Sequence, residues 1–375
     1  MKFNGSLFLG IRISKVYDLF QENVLLYYFF FLVCPLLFHR RSNELIYISN
    51  LQRRQFGYNN WKNRTINRIT MIFSKSLINE VEIVTGENDY IKFEIAPAAG
   101  GKMLSIYNKY LRKEFLWRNE NIVLETLQPG SDYDSNFYGG IDELIPNDIP
   151  ENIDAVYYPD HGELWTTHLD YELNEGSISV FGKLKLSGLY YKKTVSLDAN
   201  APVIHLEYKI KNGSGYQRNF LWKLHAALAI EQGDKLITTA QKGKVADLAY
   251  SRFNNLDEFS WPMIENKDAS IVPAKNNSID FFYLYDMEQA EMKFVSGKGK
   301  HLFSYRYDKK VFPYQWYFAS YGGFLDHYTA IIEPCSSMPM SVNDAKNLGQ
   351  CTVLAPNEEI NTVVSICAGK NNLQH

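Results

Sequence analysis

The chain contains little cysteine: four residues in 375, at Cys34, Cys335, Cys351 and Cys367. No two of them form a CxxC pair, and this absence excludes a zinc knuckle and a dithiol redox motif. We therefore expect reduced thiols with a structural role. The sequence also lacks a Gly-rich phosphate loop and a GxSxG motif, which mark nucleotide binding and a serine nucleophile. The sequence therefore contains no motif of these kinds that would imply a cofactor or a metal ion.

The sequence also lacks an excess of charge of one sign. Lys and Arg number 39 and Asp and Glu number 42, so the formal net charge is −3. Phosphate binding requires clustered Lys and Arg, and nucleic acid is therefore excluded as the main partner. Hydrophobic residues make up 46% of the chain and aromatic residues 15%, which is enough apolar material for a large core.

The most apolar run of the chain is short for a membrane span. Residues 24–38 read VLLYYFFFLVCPLLF, and a helix of this length would cover roughly 22 Å of a ~30 Å hydrocarbon core. Pro35 weakens the run further as a helix. Residues 1–70 are thus expected to be an extension, either a short anchor with a basic linker or sequence upstream of the true start. We expect a cytoplasmic protein, with membrane anchoring through residues 24–38 as the alternative.

From Met71 onward the sequence is a succession of short segments that alternate with period two. GSISVFGKLKLSG, LYYKKTVSLD and PVIHLEYKIKNGSG follow one another, with turn residues between them. Alternating β-branched and aromatic residues between such turns predict strands. We therefore predict one domain over residues 71–375, an all-β fold built as a large antiparallel β-sandwich. On its concave face, polar side chains from distant strands can converge.

The stretch PDHGELW interrupts this alternation with polar and aromatic residues. It contains His161, Glu163 and Trp165, all candidates for contact with a ligand. A histidine that caps a turn is the alternative. A metal site requires several ligands at fixed spacing, and His161 and His168 are seven residues apart. We therefore expect no metal site in this stretch.

Two further candidates lie on strand-like runs. In LWKLHAALAI, one face is apolar and the other carries Lys223 and His225, followed by the small Ala227 and Ala229. Small residues beside a histidine leave room for a ligand, and a buried, hydrogen-bonded histidine is the alternative. Glu333 ends the apolar run YTAIIE. Burial of such a carboxylate is costly unless it is partnered or used, and burial raises its pKa toward that of a general base.

Two Gly- and Pro-containing segments, FYGGIDELIPNDIP and FPYQWYFASYGG, supply the remaining candidates. Trp316, like Trp165, is a candidate for stacking on the apolar face of a sugar, with core packing as the alternative. Asp142 and Glu143 are candidates for hydrogen bonds to hydroxyl groups. Histidines, a glutamate and tryptophans on a β-face favour a neutral, polyhydroxylated small molecule as the ligand, that is, a sugar.

The order of these motifs resembles the aldose 1-epimerase (galactose mutarotase-like) superfamily. The segments that carry the resemblance are GGIDELIP, PDHGELW, WKLHAAL and YGG…EPC…NDA. The resemblance extends from about Glu94 to TVLAPNEEINTVVSI near the C-terminus. It implies a large β-sandwich with the sugar site on its concave face. It also implies conversion between the α and β anomers of a hexose or related sugar, without a cofactor.

The resemblance further implies roles for three residues. Glu333 in IIEPC matches the base that removes the proton of the anomeric hydroxyl. His225 in WKLHAAL matches the histidine that donates a proton to the ring oxygen. His161 in PDHGELW matches the second histidine, which helps to hold the ring oxygen or a hydroxyl.

The sequence departs from the family in its hydroxyl-binding residues. Relatives commonly use an arginine and an aspartate, and here Lys223, Lys102 and Asp142 stand as substitutes. A mutarotase of sugar phosphates is an alternative, for which Lys102, Arg118 and Lys223 would supply cations. A carbohydrate-binding protein without turnover is another. A glycoside hydrolase or lyase would require a second carboxylate beside the scissile bond. The sequence makes no prediction of oligomeric state.

Overall fold

The computed structural model describes residues 45–47 and residues 71–372. The apolar run at residues 24–38, with its predicted anchor or upstream role, lies outside the described residues. Within the described part, no helix is long and apolar enough to cross a membrane. The backbone of Leu45–Tyr47 pairs with that of Phe73–Lys75, so three residues before the predicted boundary at Met71 extend the sheet.

Strands dominate the described residues, and most of them belong to two antiparallel sheets, which confirms the all-β prediction. The first sheet has thirteen strands. They are β1 (Leu45–Tyr47), β2 (Ile72–Ile78), β3 (Val81–Glu87), β4 (Ile91–Ala96), β5 (Lys102–Asn108), β6 (Lys113–Glu114), β7 (Ile141–Leu144), β15 (Lys223–Ala229), β17 (Lys242–Val245), β18 (Phe259–Ser260), β21 (Ser278–Tyr285), β24 (Tyr314–Tyr321) and β25 (Tyr328–Cys335). Its centre runs in the order β5-β7-β15-β25-β24.

The second sheet has eight strands. They are β10 (Asp170–Asn174), β11 (Ser177–Lys183), β12 (Leu189–Leu197), β13 (Val203–Asn212), β16 (Lys235–Thr238), β22 (Glu291–Ser296), β23 (His301–Arg306) and β27 (Glu359–Lys370). Short elements complete the described chain: β8 (Glu151–Ile153), β9 (Val156–Tyr158), β14 (Arg218–Phe220), β19 (Met263–Ile264), β20 (Lys267–Asp268), β26 (Thr352–Leu354), α1 (Val342–Asn347) and 3₁₀ turns at Pro97–Ala99, Asp134–Asn136, Leu164–Thr166 and Leu248–Tyr250.

The main apolar core contains side chains from both sheets. Leu224 of β15 and Ile332 of β25 enter it from the first sheet, and Val195 of β12 and Leu206 of β13 enter it from the second. Each such side chain contributes about 1.5–3 kcal/mol when it is fully buried. Because side chains alternate along a strand, the neighbours of Leu224 point to the other face of the first sheet. That face is where the candidate site forms.

A buried ion pair joins the two sheets. Lys193 of β12 places its Nζ atom 2.7 and 2.8 Å from the two carboxylate oxygens of Glu143 on β7. The same ammonium donates to the carbonyl oxygen of Gly101, and the Tyr208 hydroxyl donates to Glu143. Glu143, a candidate for hydroxyl binding in the sequence, is therefore engaged between the sheets, while its neighbour Asp142 faces the opposite way.

Candidate active site

Three adjacent strands place polar residues in one row across the first sheet. Asp142 of β7 lies opposite His225 of β15. The pairing of Ala226 with Ile332 sets the register between β15 and β25, so His225 and Glu333 occupy opposite positions. The register of the sheet therefore brings together residues that are far apart in the sequence.

The PDHG turn supplies His161 from outside the sheet. His161 and Gly162 both have left-handed backbone angles, with φ of 57° and 75°. A Cβ atom on Gly162 would lie 2.3 Å from the carbonyl oxygen of Ile145, so only glycine fits here. The His161 amide donates to the carbonyl oxygen of Asp148 at 2.6 Å. These contacts fix the turn against the segment that follows β7.

The row and the turn border a cavity of about 180 Å³. Four of the predicted site residues line it: Glu333, His225, His161 and Lys223. Aromatic and acidic side chains complete its walls, among them Tyr133, Phe137, Asp148, Phe281 and Phe318. The cavity thus combines apolar surface with acid–base groups, a combination typical of small-molecule sites.

Lys223 links two carboxylates at the base of the cavity. Its Nζ atom lies 2.6 Å from an Asp148 oxygen and 2.8 Å from a Glu333 oxygen. Burial alone would lower the pKa of Lys223, but the two carboxylates outweigh burial and raise it above its ordinary value. Burial raises the pKa of Glu333, against the opposing effect of Lys223. Glu333 is therefore oriented by a cation and shifted toward the basicity of a general base.

Tyr133 connects the two histidines. Its ring stacks on the His161 ring, with centroids 3.9 Å apart and planes at 9°. Its hydroxyl donates to Asp142 at 3.0 Å and lies 3.4 Å from Nδ1 of His225. Asp142 also binds the ammonium of Lys102 at 3.1 Å. Because the phenol proton is directed to Asp142, the phenol oxygen can accept from Nδ1–H of a neutral His225, leaving Nε2 as an acceptor.

The two histidines have opposite electrostatic surroundings. Burial, with the nearby positive charge of Lys223, holds the pKa of His225 well below its ordinary value. Burial also opposes the charged form of His161, but Asp160 and Asp148 outweigh it and raise its pKa. The Nδ1 atom of His161 lies 3.0 Å from Asp160, and its Nε2 atom lies 3.8 Å from Asp148. The surroundings favour a neutral His225 and a charged His161, whereas the resemblance implies that His225 is the protonated acid.

The two predicted tryptophans lie behind the cavity rather than on its wall. Trp316 is fully buried, and its ring forms a platform 4.6 Å from the Lys223 ammonium. Trp165 packs edge-on against Tyr133, with ring centroids 5.0 Å apart. Neither ring is among the residues that line the cavity. The structure therefore gives both tryptophans a supporting position, and their stacking on a sugar stays a prediction.

Three other predicted residues are engaged with protein partners. Glu163 accepts hydrogen bonds from the backbone amides of Leu186 and Ser187 at 2.7 and 2.9 Å. Lys102 and Asp142 form the buried pair beneath Tyr133. None of the three lines the cavity. Their direct contact with a ligand stays a prediction.

The structure adds residues that the sequence did not single out. Tyr133 and Phe137 belong to the segment DYDSNFYGG, where nothing in the spacing distinguishes a site residue from a packing residue. Asp148 lies within FYGGIDELIPNDIP, the segment that supplied Asp142 and Glu143 as candidates, and its place in that segment was a usable signal. Its contact with Lys223 depends on the tertiary fold.

One group beside the cavity has the composition of a cation site. Asp134, Asp160 and His161 each offer a ligand atom, and these atoms lie within 4.8 Å of one another. Nδ1 of His161 is already 3.0 Å from Asp160, an arrangement that equally suits an imidazolium–carboxylate pair. The absence of a metal from the reaction stays a prediction.

The comparisons with known proteins bear on the fold. No protein-family model and no curated protein matches the chain. A galactose mutarotase-like protein from Clostridium acetobutylicum aligns with a TM-score of 0.60 and 14% identity, over 80% of this chain and 98% of that one. A galactose mutarotase related enzyme from Lactobacillus acidophilus aligns with a TM-score of 0.58 and 13% identity, over 78% and 99%.

A third solved structure is a longer protein. It is a TPR-domain containing protein from Parabacteroides distasonis, with a TM-score of 0.58 and 14% identity. The alignment covers 78% of this chain and 48% of that protein, so the chain spans about half of its length. At these identities the likeness establishes the fold and not the activity. The galactose mutarotase-like fold that the motif resemblance implies is therefore confirmed for this chain.

Proposed function

We propose that the protein interconverts the α and β anomers of a neutral sugar by acid–base ring opening and closure. The observation that carries the proposal is the convergence of Glu333, His161 and His225 on one cavity. Glu333 is oriented by Lys223, and the two histidines are connected through Tyr133. An acid and a base close to one another but in different surroundings are what this reaction requires.

The chemistry proceeds in two proton transfers. Glu333 accepts the proton of the anomeric hydroxyl, and the imidazolium of His161 donates a proton to the ring oxygen. The bond between C1 and the ring oxygen breaks, and the open-chain aldehyde forms. Rotation about C1–C2 presents the other face of the aldehyde, and closure reverses both transfers. The neutral His225 accepts a hydrogen bond from a sugar hydroxyl at Nε2. Because closure reverses both proton transfers, no group is consumed.

The charges around the cavity favour a neutral sugar over a sugar phosphate. Lys223 and Lys102 are each paired with buried carboxylates, and Arg118 does not line this cavity. Four carboxylates do line it: Asp134, Asp148, Asp160 and Glu333. Among the residues that the structure describes, no unpaired lysine or arginine lines this cavity, so a phosphate group would meet a negative surface.

The test is the rate at which the full-length protein equilibrates freshly dissolved α-glucose and α-galactose, followed by polarimetry and by NMR exchange between the anomeric signals. We expect acceleration of at least one sugar in proportion to protein concentration. Absence of acceleration for both sugars would contradict the proposal.

One observation favours a second candidate, a sugar-binding protein without turnover. The ammonium of Lys223 lies 2.8 Å from Glu333 and competes with a sugar hydroxyl for that carboxylate. Saturable shifts of sugar signals without anomer exchange would select this candidate. Exchange that disappears when Glu333 is replaced would exclude it.

A further inference from the structure

Asp148 lines the candidate site but takes no part in the proposed proton transfers. Its side chain is buried, and its Oδ1 atom lies 2.6 Å from the Nζ atom of Lys223. The same ammonium lies 2.8 Å from Oε2 of Glu333 and 4.6 Å from the centre of the Trp316 ring. Two buried carboxylates therefore share one ammonium, and one of them is the proposed base.

The pair of Lys193 and Glu143 shows how a buried lysine binds a single carboxylate in this fold. The Lys193 ammonium donates to both oxygens of Glu143, at 2.8 and 2.7 Å. Around Lys223 the geometry is different. In the part of the chain that the structure describes, neither Oε2 of Glu333 nor Oδ1 of Asp148 receives a well-directed hydrogen bond. An ammonium attracted by two carboxylates thus lies between them and closes fully on neither.

The backbone holds Asp148 in place independently of its carboxylate. Its carbonyl oxygen accepts a hydrogen bond from the His161 amide at 2.6 Å. The side-chain amide of Asn147 donates to the carbonyl oxygens of Ile149 and Pro159 at 2.7 and 2.8 Å. A change of the Asp148 side chain should therefore leave the course of this segment intact, and its effect can be assigned to the carboxylate.

Glu333 is surrounded by charged and titratable groups from several elements. They are Lys223 and His225 from β15, Asp148 from the segment after β7, His161 from the PDHG turn, Tyr133, Cys335 on its own strand and Tyr305 of β23. Burial has the largest effect on the pKa of Glu333 and raises it. Lys223 lowers this pKa, Asp148 raises it, and His161 lowers it less. Asp148 thus opposes the cation beside the base.

We propose that Asp148 is a positioning residue for Glu333 and acts through Lys223. By binding the ammonium, Asp148 keeps it from closing on both oxygens of Glu333, as Lys193 closes on Glu143. Glu333 then remains able to accept the proton of the anomeric hydroxyl. The proposal rests on the proposed function for the role of Glu333 as the base. It adds that this role depends on a second carboxylate, which itself transfers no proton.

The experiment begins with Asp148→Asn in the full-length protein. Without the second carboxylate, Lys223 should bind Glu333 more closely and lower the pKa of Glu333 by about one unit. Activity should be lost as pH falls through this pKa, so the acid limb of the pH profile should move to lower pH. A weaker base should also reduce the maximal rate of anomer exchange, by about three- to tenfold.

Lys223→Met gives the opposite shift. Removal of the cation should raise the pKa of Glu333, so the acid limb should move to higher pH. If Asp148 acts through Lys223, adding Asp148→Asn to Lys223→Met should change the limb little. An equal downward shift in both backgrounds would show that Asp148 acts on Glu333 directly, and this would overturn the proposal.

A second measurement does not depend on activity. The protein is labelled with ¹³C at the glutamate carboxylates, and the Glu333 signal is identified by its absence from Glu333→Gln. Its titration should move to lower pH in Asp148→Asn. Asp148→Ala makes the same charge change and replaces this variant if it fails to fold. Asp170→Asn, at an exposed position of β10, is the matched control and should leave the titration unchanged.

The two proposals fail separately in this design. Anomer exchange with an unchanged Glu333 titration in Asp148→Asn removes the positioning role and leaves the proposed function. A change confined to KM likewise removes the positioning role, because it assigns Asp148 to direct sugar binding. The expected shifts of the Glu333 titration without exchange on any sugar keep the link from Asp148 to Glu333 and remove the catalytic proposal.

Discussion

Two lysines, Lys193 and Lys223, are both buried in the fold and both bind a glutamate, yet their surroundings differ. Lys193 contacts both oxygens of Glu143 and the Gly101 carbonyl oxygen between the two sheets. Lys223 contacts one oxygen of Glu333 and one of Asp148, and all three side chains line a cavity.

The difference separates an ion pair enclosed between the two sheets from one that borders the cavity. Glu143 is buried between the sheets, where the Lys193 ammonium and the Tyr208 hydroxyl bind it, and it does not line the cavity. Glu333 keeps a position on the cavity wall, and Lys223 orients it from one side. The same pair of residue types should therefore control stability in one place and activity in the other.

The largest effect should come from Glu333→Gln. Gln keeps the shape of the side chain but cannot accept a proton from the anomeric hydroxyl, so anomer exchange should fall by about 10²–10⁴-fold. The measurement is NMR exchange under saturating sugar.

Glu172→Gln is the control for this substitution, because it makes the same change on exposed strand β10. It should leave the exchange rate unchanged. If Glu333→Gln kept the wild-type exchange rate, Glu333 would not be the base. The contrast between the Lys193–Glu143 pair and the Lys223–Glu333 pair would then be wrong.

The second effect is on stability and concerns the pair of Lys193 and Glu143 between the sheets. Glu143→Gln leaves the Lys193 ammonium buried without a countercharge, and the free energy of unfolding should fall by about 3–5 kcal/mol. Chemical denaturation followed by tryptophan fluorescence measures this loss. Adding Lys193→Met should recover part of it, because the unpaired charge is then removed as well.

Glu333→Gln in the same assay sharpens the comparison. Lys223 retains Asp148 at 2.6 Å, so this variant should lose less stability than Glu143→Gln. The reverse order would show that the cavity pair is the structural one.

The sequence predicted the strands and the alternation of β15 because both depend on local pattern. In LWKLHAALAI the apolar face enters the main core and the face with Lys223 and His225 lines the cavity, as the period-two pattern indicates. Glu333 was detectable as a carboxylate at the end of an apolar run. These features require only the geometry of a strand and the cost of burying charge.

The partners of each side chain could not be predicted in the same way. Glu163 and Glu143 resemble site residues in the sequence, and only the fold shows that backbone amides occupy one and Lys193 the other. Trp316 lies beneath Lys223 because β24 pairs with β25 in a particular register. Pairing between strands that are distant in sequence determines these contacts, and the local sequence pattern does not predict that pairing.

A smaller effect is expected from Tyr133→Phe. The substitution keeps the ring that stacks on His161 but removes the hydroxyl between Asp142 and His225. Loss of one such hydrogen bond is worth about 0.5–1.5 kcal/mol, so kcat should fall by up to about tenfold. KM should change less than kcat, because the stacked ring still shapes the cavity. A change confined to KM would assign Tyr133 to sugar binding instead.

The smallest effect is a shift of the pH profile in Asp160→Asn. Asp160 raises the pKa of His161 through its contact at 3.0 Å, and the proposed acid works only while His161 is protonated. Activity of the wild type should therefore be lost as pH rises through this raised pKa. Without the Asp160 carboxylate the pKa falls, so the alkaline limb of kcat/KM should move to lower pH.

Asp257→Asn, at an exposed position, makes the same charge change away from the cavity and should leave the limb in place. If the limb moves instead with substitutions around His225, then His225 carries the proton, as the superfamily resemblance implies. The neutral form that its surroundings favour would then describe only the empty site, and binding of the sugar would have to reverse the order of the two histidine pKa values.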